Sequence, residues 1–194
     1  TTPTSKLITV VPSRKLPARD AARIALTDFA QRAWRRPVTP EEVESLLEAF
    51  DEAQKRRDGY EEAIKFAFKA ALVSPHFLFL AEPEPEAPGN YELDDYQLAT
   101  RLSYFLWGTM PDETLFHLAE RGGLRAQLEA QVRRMLADPR ASALTAQFAS
   151  QWLQFRSLDV VAPDRGEFPG FDDALRAAMQ RETELFFETI LRED

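Results

Sequence analysis

Two histidines are the residues of this chain best suited to holding a metal or a haem, because imidazole is the commonest metal ligand among side chains. His76 follows Ser74 and Pro75 at a predicted helix start, and His117 stands beside Phe116 on another predicted helix. One imidazole from each would suffice for bis-histidine haem ligation. The sequence contains neither HExxH nor an HxH spacing, so ordinary surface positions are the favoured interpretation and ligand binding is the alternative.

Glutamates near the end of the chain are the second chemical candidate. Glu184 and Glu188 are one helical turn apart, and Glu182 lies just before them. A di-metal site in a helical bundle needs a Glu-x-x-His motif, which the sequence lacks. A glycosidase needs two carboxylates at a set separation, which spacing along the chain does not give. We therefore interpret these glutamates as an acidic, solvated helix face.

Arg101 is the charge that requires a partner if it is buried. It lies midway along a predicted helix of apolar and aromatic residues, where a buried guanidinium needs a carboxylate. We predict an ion pair between Arg101 and Glu182 or Glu184 of the last helix. Such a pair would fix the packing of two helices and would not itself perform catalysis.

Three tryptophans, Trp34, Trp107 and Trp152, are suited to stacking on sugar rings or to contacting a haem. Each recurs at helical spacing with Leu and Phe, which favours packing in a core. Trp107 and Trp152, with the two histidines, remain the candidates for ligand contact. The sequence shows no glycine-rich phosphate loop, no supported Ser-His-Asp arrangement and no basic-aromatic pattern. It therefore predicts no catalytic residue and no metal or cofactor site in this segment.

The composition excludes several further classes of function. The absence of Cys excludes disulfides, thiolate catalysis and covalent attachment of haem c within this segment. The net charge is −8, and residues 91–194 carry −7 of it, from 11 Arg and 18 Asp and Glu. This acidity disfavours nucleic acids and anionic membranes and leaves room for a basic protein partner. No apolar run approaches the length of a membrane span.

The candidate residues lie on predicted helices. With only 7 Gly and apolar residues at helical spacing, the sequence predicts an all-α protein of eight or nine helices. Thr39 and Asp94, each followed three residues later by Glu or Gln, are predicted to cap two of them. The predicted helices cover residues 18–35, 40–57, 60–73, 76–80, 94–107, 111–121, 124–136, 141–158 and 171–192.

Two helical bundle subdomains are predicted, residues 17–81 and 91–194, after a short extended arm at 1–16. The Pro- and Glu-rich stretch 82–90 is predicted to be a linker. The helix at 94–107 is the predicted centre, because apolar or aromatic side chains occupy nearly its whole circumference. The side chains expected to be buried include Ile24, Phe29, Trp34, Leu72, Leu98, Leu102, Phe105, Leu106, Phe148, Trp152, Leu175, Met179, Leu185, Phe186 and Ile190.

Several stretches resemble known families. The stretch AQRAWRRPVTPEEVESLLEAF, with AALVSPHFLFL after it, resembles the domain-of-unknown-function family 1595. The stretch YELDDYQLATRLSYFLWGTMPDETLFHLA, with MLADPR and QWL after it, resembles family 1592. The resemblance implies a place in large bacterial proteins, typically of planctomycetes, that are expected to be exported. Such proteins often also carry cytochrome c-like and carbohydrate-binding-like modules.

The resemblance therefore implies an extracytoplasmic helical module that contacts other domains of the same polypeptide, with any haem c held elsewhere. It brings no established activity and no site residues. Relatives tend to carry a Cys-bearing segment before the first helix, whereas this chain reads LITVVPSRKLP there. They also continue beyond LRED, so we expect this sequence to be a truncated piece.

The favoured function is a scaffold or interaction module. One alternative is part of a haem- or metal-dependent enzyme whose cofactor other domains hold. A second alternative is a carbohydrate-binding module with exposed aromatics.

Overall fold

The computed structural model describes residue 8 and residues 10–80 and 91–193. Over these residues the protein is all-α, with nine helices when the run 142–152 is counted as one, and it has no β-strand. This confirms the predicted fold class. The helices are α1 (Ala18–Trp34), α2 (Pro40–Lys55), α3 (Tyr60–Val73), α4 (Pro75–Leu78), α5 (Asp95–Trp107), α6 (Glu113–Glu120), α7 (Leu128–Ala137), α8 (Ser142–Leu144), a π-turn (Thr145–Ala149), α9 (Ser150–Trp152) and α10 (Asp173–Glu193).

The chain divides into two compact units, unit 1 (Thr1–Gln97) and unit 2 (Leu98–Asp194). The predicted linker at 82–90 falls on residues outside the described part of the chain, so it stays a prediction. In the arm, Ser13 and Leu16 form an isolated β-bridge. None of the helices in the two described stretches is long and apolar enough to cross a membrane.

Unit 1 is a bundle of α1, α2 and α3 around an apolar core. Thr39 begins α2 with the predicted capping box, in which its hydroxyl accepts from the Glu42 N–H and the Glu42 carboxylate accepts from the Thr39 N–H. The prediction that Ile24 and Leu72 are buried is wrong, because both lie on outer helix faces. The core consists of Ala22, Ala25, Leu26, Ala30, Trp34, Val43, Leu46, Leu47, Phe50, Ala53, Ala63, Ile64, Ala67, Phe68 and Ala71.

Trp34 ends α1 and ties it to α3. Its indole Nε1 donates to the Ala71 carbonyl over 3.1 Å, and the next residue, Arg35, has a left-handed φ of 59°. The Arg36 Cζ lies 5.7 Å from the indole centroid, and the His76 ring centroid lies 5.0 Å from it. We call this arrangement a tryptophan clasp: a helix-ending Trp that donates to a carbonyl near the end of another helix, with a basic side chain against its ring.

Unit 2 contains a second tryptophan clasp. The Trp107 indole Nε1 donates to the Met135 carbonyl over 3.0 Å. The Arg140 Cζ lies 3.5 Å from the indole centroid and the Arg134 Cζ 5.4 Å from it. Both guanidiniums also lie within ion-pair distance of the Asp112 carboxylate, which caps α6. The clasp therefore fixes the end of α5 against α7.

The buried face of α5 consists mainly of small side chains. Ala99, Thr100 and Ser103 are buried, together with Leu106 and Trp107 at the end of the helix. The predicted buried row is wrong for Phe105, which is exposed, and only partly right for Leu98 and Leu102, which are half-buried. Small side chains let neighbouring backbone approach closely, which a pattern based on large apolar residues does not detect. The helix is therefore enclosed on one side and open on the other.

Candidate functional site

An exposed aromatic row on unit 2 is the candidate functional site. It consists of Phe105 of α5, Phe148 of the π-turn and Trp152 of α9. The ring centroids of Phe105 and Phe148 lie 5.8 Å apart, and so do those of Phe148 and Trp152, whose ring planes differ by 24°. These residues are 56%, 44% and 65% exposed. The prediction that they pack in the core is wrong, whereas Trp34 and Trp107 are buried as predicted.

The π-turn explains why the aromatic row faces outward. A π-turn holds one residue more than an α-helical turn and therefore rotates every side chain that follows it. Leu144, Thr145 and Ala149 are buried, while Phe148 and Trp152 are exposed. The Thr145 hydroxyl is buried without a hydrogen-bond partner among the described atoms. Irregular helical turns with an unsatisfied polar group are typical of functional regions of proteins.

The polar side chains beside the aromatic row along the chain are neutral amides. Gln147 and Gln151 are exposed next to Phe148 and Trp152 in the sequence, and Gln154 follows. Gln147 is positioned by the end of α5, since a Cβ added to Gly108 would lie 2.6 Å from its Nε2. Gly108 has a φ of 64°, so its lack of a side chain serves both the turn and this close approach.

A second exposed apolar surface lies along α10. Leu175, Met179, Phe186 and Ile190 recur at helical spacing on one face, which we call the outer row, and are 38–67% exposed. A neighbouring face packs instead: Arg176 donates to the Leu158 carbonyl. The prediction that Leu175, Met179, Leu185, Phe186 and Ile190 are buried is therefore wrong, because the half-buried side chains of α10 lie on another face, which includes Arg176, Gln180, Phe187 and Leu191.

The two histidines lie in ordinary carboxylate contacts. The His76 Nε2 is 3.5 Å from the Glu42 carboxylate in unit 1, and the His117 Nδ1 is 3.6 Å from the Glu120 carboxylate in unit 2. In the two described stretches, no group of three or more His, Cys, Asp or Glu side chains is placed to hold a metal ion. Ligand binding by His76 and His117 stays the untested alternative to ordinary surface positions.

Glu42 is a highly connected carboxylate among the described residues of unit 1. It accepts from both Arg36 Nη1 and Nη2, over 3.0 and 2.6 Å, and from the Thr39 N–H over 2.9 Å. The Arg36 hydrogen bonds hold the pKa of Glu42 below its usual value. In unit 2 the Arg140 guanidinium lowers the pKa of Asp138 to about 2 in the same way. Both carboxylates stay ionised at neutral pH and serve to fix helix ends.

Burial of the Arg101 guanidinium, the condition under which a carboxylate partner is required, is not met. Arg101 is exposed on α5, and Glu182 is exposed on α10. Neither charge therefore has the desolvation cost that would require an ion-pair partner. Glu184 is half-buried and accepts from the Arg181 Nη1 over 3.0 Å. Pairing of Arg101 with Glu182 or Glu184 stays a prediction.

One signal in the sequence could have pointed to the aromatic row. Residues 141–155 contain no Asp, Glu, Lys or Arg, although 29% of the whole chain is charged. A helix without charges is usually buried, yet this one is exposed from Ala146 to Phe148 and from Gln151 to Gln154. The combination of aromatic and amide side chains in a neutral stretch therefore marks the candidate site.

Two family models match the chain. The model described as PSD4, protein of unknown function (DUF1592), matches residues 93–194. The model described as PSD5, protein of unknown function (DUF1595), matches residues 21–82. Their identity and order confirm the resemblance seen in the sequence. No curated protein and no solved structure matches the chain.

Proposed function

We propose that this chain, which belongs to the family PSD4, protein of unknown function (DUF1592), is an interaction module that docks a basic amphipathic polypeptide segment along the outer row of α10. One observation carries the proposal. The helix has 21 residues and buries none of them, although four apolar side chains share one face. A continuous exposed apolar row at helical spacing is typical of a surface that receives another helix.

The charge of unit 2 favours a basic partner over a second copy of the chain. Residues 91–194 carry a net charge of −7. Glu182 is exposed within the outer row, one turn from both Met179 and Phe186. A Lys or Arg on the docked segment would meet this carboxylate at the edge of the apolar contact, whereas a second acidic copy would be repelled.

The family resemblance supports a wider setting for this function. Family 1595 and 1592 domains occur together in large bacterial proteins that are expected to be exported. We therefore place the module outside the cytoplasm, with the docked segment supplied by another domain of the same polypeptide. In that setting any haem c is held by another domain, and this segment contributes contacts and no catalytic groups.

A peptide titration tests the docking function. The probe is a synthetic amphipathic helical peptide of Leu and Lys, and its control has Glu in place of Lys. The Leu-Lys peptide should bind the full chain saturably and shift the backbone NMR signals of α10. Replacing Phe186 by Asp should weaken this binding by about tenfold or more, because it puts a charge in the centre of the contact.

The matched control is Val160→Asp, which places the same charge on an apolar residue that is 83% exposed outside the helices. That variant should bind the Leu-Lys peptide as the unchanged chain does. Equal binding of the Leu-Glu peptide, or binding that is indifferent to Phe186→Asp, would refute docking on the outer row.

A further inference from the structure

We propose that the aromatic row, with Gln147 and Gln151, is a binding site for neutral polysaccharide chains. The ligand class is a chain of pyranose sugars without charged groups. The site lies on the π-turn and α9 with one ring from α5, and none of its residues belongs to the outer row of α10. The inference therefore adds a ligand to the proposed docking function and does not depend on it.

Aromatic rings supply the stacking surfaces for the sugar rings. A pyranose ring presents C–H groups on its face, and these pack on the face of an aromatic side chain. Trp152 is 65% exposed, and Phe148 follows at a centroid distance of 5.8 Å with a plane inclined by only 24°. Rings at this distance and inclination stack on each other, so the pair presents the open face of the Trp152 indole to one sugar ring of the chain.

Amide side chains supply the hydrogen bonds that hydroxyl groups need. A Gln amide both donates and accepts, so it satisfies a sugar hydroxyl in either direction. Gln151 lies between Phe148 and Trp152 along the helical run, and Gln147 is one turn before it. The close approach to Gly108 positions the Gln147 amide. The site thus combines an aromatic stacking surface with neutral polar groups, as small-molecule sites do.

The absence of charge distinguishes a sugar chain from a charged polypeptide. Residues 141–155 carry no charged side chain, and the nearest charges in sequence are Arg140 and Arg156 at the two ends. On α5, Arg101 precedes Phe105 by one turn. This stretch itself supplies no carboxylate to a basic segment, whereas the outer row offers Glu182. Neutral hydroxyl groups match the surface in both polarity and charge.

Tryptophan fluorescence of the full chain tests the site directly. Trp34 and Trp107 are 7% and 3% exposed, so Trp152 is the one tryptophan open to solvent. Cello-, xylo-, manno- and laminari-oligosaccharides are titrated separately, with polygalacturonate as an anionic probe. At least one neutral oligosaccharide should shift the emission to the blue saturably and protect it from acrylamide quenching. Polygalacturonate should bind more weakly.

Three variants, compared by affinity electrophoresis in gels containing the polysaccharide, complete the test. Trp152→Ala should abolish retardation, and Gln151→Ala should weaken it by about tenfold. Phe168→Ala removes an aromatic side chain that is 58% exposed elsewhere in unit 2 and should leave retardation unchanged. Circular dichroism spectra identical to that of the unchanged chain verify folding.

The proposal is overturned if no neutral oligosaccharide saturates, if polygalacturonate binds more tightly, or if Gln151→Ala and Trp152→Ala bind normally. The Phe186→Asp variant should retain sugar binding. Its behaviour separates a failure of this site from a failure of docking on α10.

Discussion

At the scale of single residues, Glu42 shows how one carboxylate can join three local structures. It completes the capping box of α2 with Thr39, pairs with Arg36 after α1, and lies 3.5 Å from His76 of α4. A sequence shows the capping box, because its two partners are three residues apart. The contact with His76 spans more than thirty residues of chain and depends on the tertiary fold.

Replacing Glu42 by Gln should destabilise unit 1 by about 0.5–1 kcal/mol at pH 7, since Gln keeps the cap but loses the charge that pairs with Arg36. The pKa of Glu42 is lower in the folded state than in the unfolded chain, where it is about 4.3. The ionised carboxylate therefore stabilises the fold at pH values above the unfolded-state pKa. The difference between the two proteins should therefore shrink as the pH falls through the lowered pKa. Urea unfolding at several pH values, followed by the NMR signal of the Trp34 indole N–H, measures this difference in the free energy of unfolding.

The control for this prediction is Glu48→Gln, which removes a carboxylate from an exposed position on the same helix. It should change the unfolding midpoint by less than Glu42→Gln at pH 7. A stability difference for Glu42→Gln that persists unchanged in acid would contradict the role given to its charge.

At the scale of elements, the end of α5 combines a turn with a contact. Gly108 and Gly122 have nearly equal positive φ values, 64° and 63°. A Cβ on Gly108 would lie 2.6 Å from the Gln147 Nε2, whereas a Cβ on Gly122 would meet nothing within 4 Å. Comparing substitutions at the two glycines therefore distinguishes the strain of a left-handed turn, common to both, from the effect on the Gln147 side chain, which only Gly108 has.

Replacing either glycine by Ala should destabilise unit 2 by about 1–2 kcal/mol, the cost of a left-handed conformation for a residue with a Cβ. Only Gly108→Ala should move the side-chain amide NMR signals of Gln147, because that side chain must give way. Thermal unfolding and amide spectra of both variants test this. Unchanged Gln147 signals in Gly108→Ala would show that the close approach does not occur in solution.

At the scale of the whole molecule, the two units use the same tryptophan clasp. In each, a Trp at the last position of a helix donates to a carbonyl two residues before another helix ends. A Ser or Asp and then a Pro follow, as Ser74-Pro75 in unit 1 and Asp138-Pro139 in unit 2. The next residue, His76 or Arg140, lies against the indole ring. The separations of donor and acceptor, 37 and 28 residues, differ, so no fixed-period repeat is visible in the sequence.

Unit 2 should unfold at a lower urea concentration than unit 1. The core of unit 1 unites fifteen side chains of three long helices, whereas α10 of unit 2 buries no residue. Helices that contribute little buried apolar area contribute little to stability. The indole N–H signals of Trp34 and Trp107 report the two units separately in one titration. Coincident loss of both signals would mean that the chain unfolds as one cooperative body.

Local features of this fold could be predicted from the sequence, and contacts between elements could not. The capping boxes at Thr39 and Asp94 follow from residues that are three positions apart, and the structure confirms them. The buried face predicted for α10 is wrong, and that predicted for α5 is right for Leu106 and only in part for Leu98 and Leu102, because hydrophobic periodicity finds an apolar face but not what covers it. The exposure of Trp152 depends on a π-turn, for which the helical pattern gives no warning.

That π-turn has a consequence for how unit 2 could change. Each residue of an α-helix advances the side-chain direction by about 100°. Deleting one residue between 145 and 149 would therefore rotate the side chains of α9 by that angle relative to those before the π-turn. Trp152 would then turn away from its present exposed direction, and the Thr145 hydroxyl would no longer lie in an irregular turn. The chain with this deletion should have a higher free energy of unfolding and should not bind ligands at the aromatic row. Keeping the extra residue of the π-turn therefore lowers stability and keeps the aromatic row available for binding.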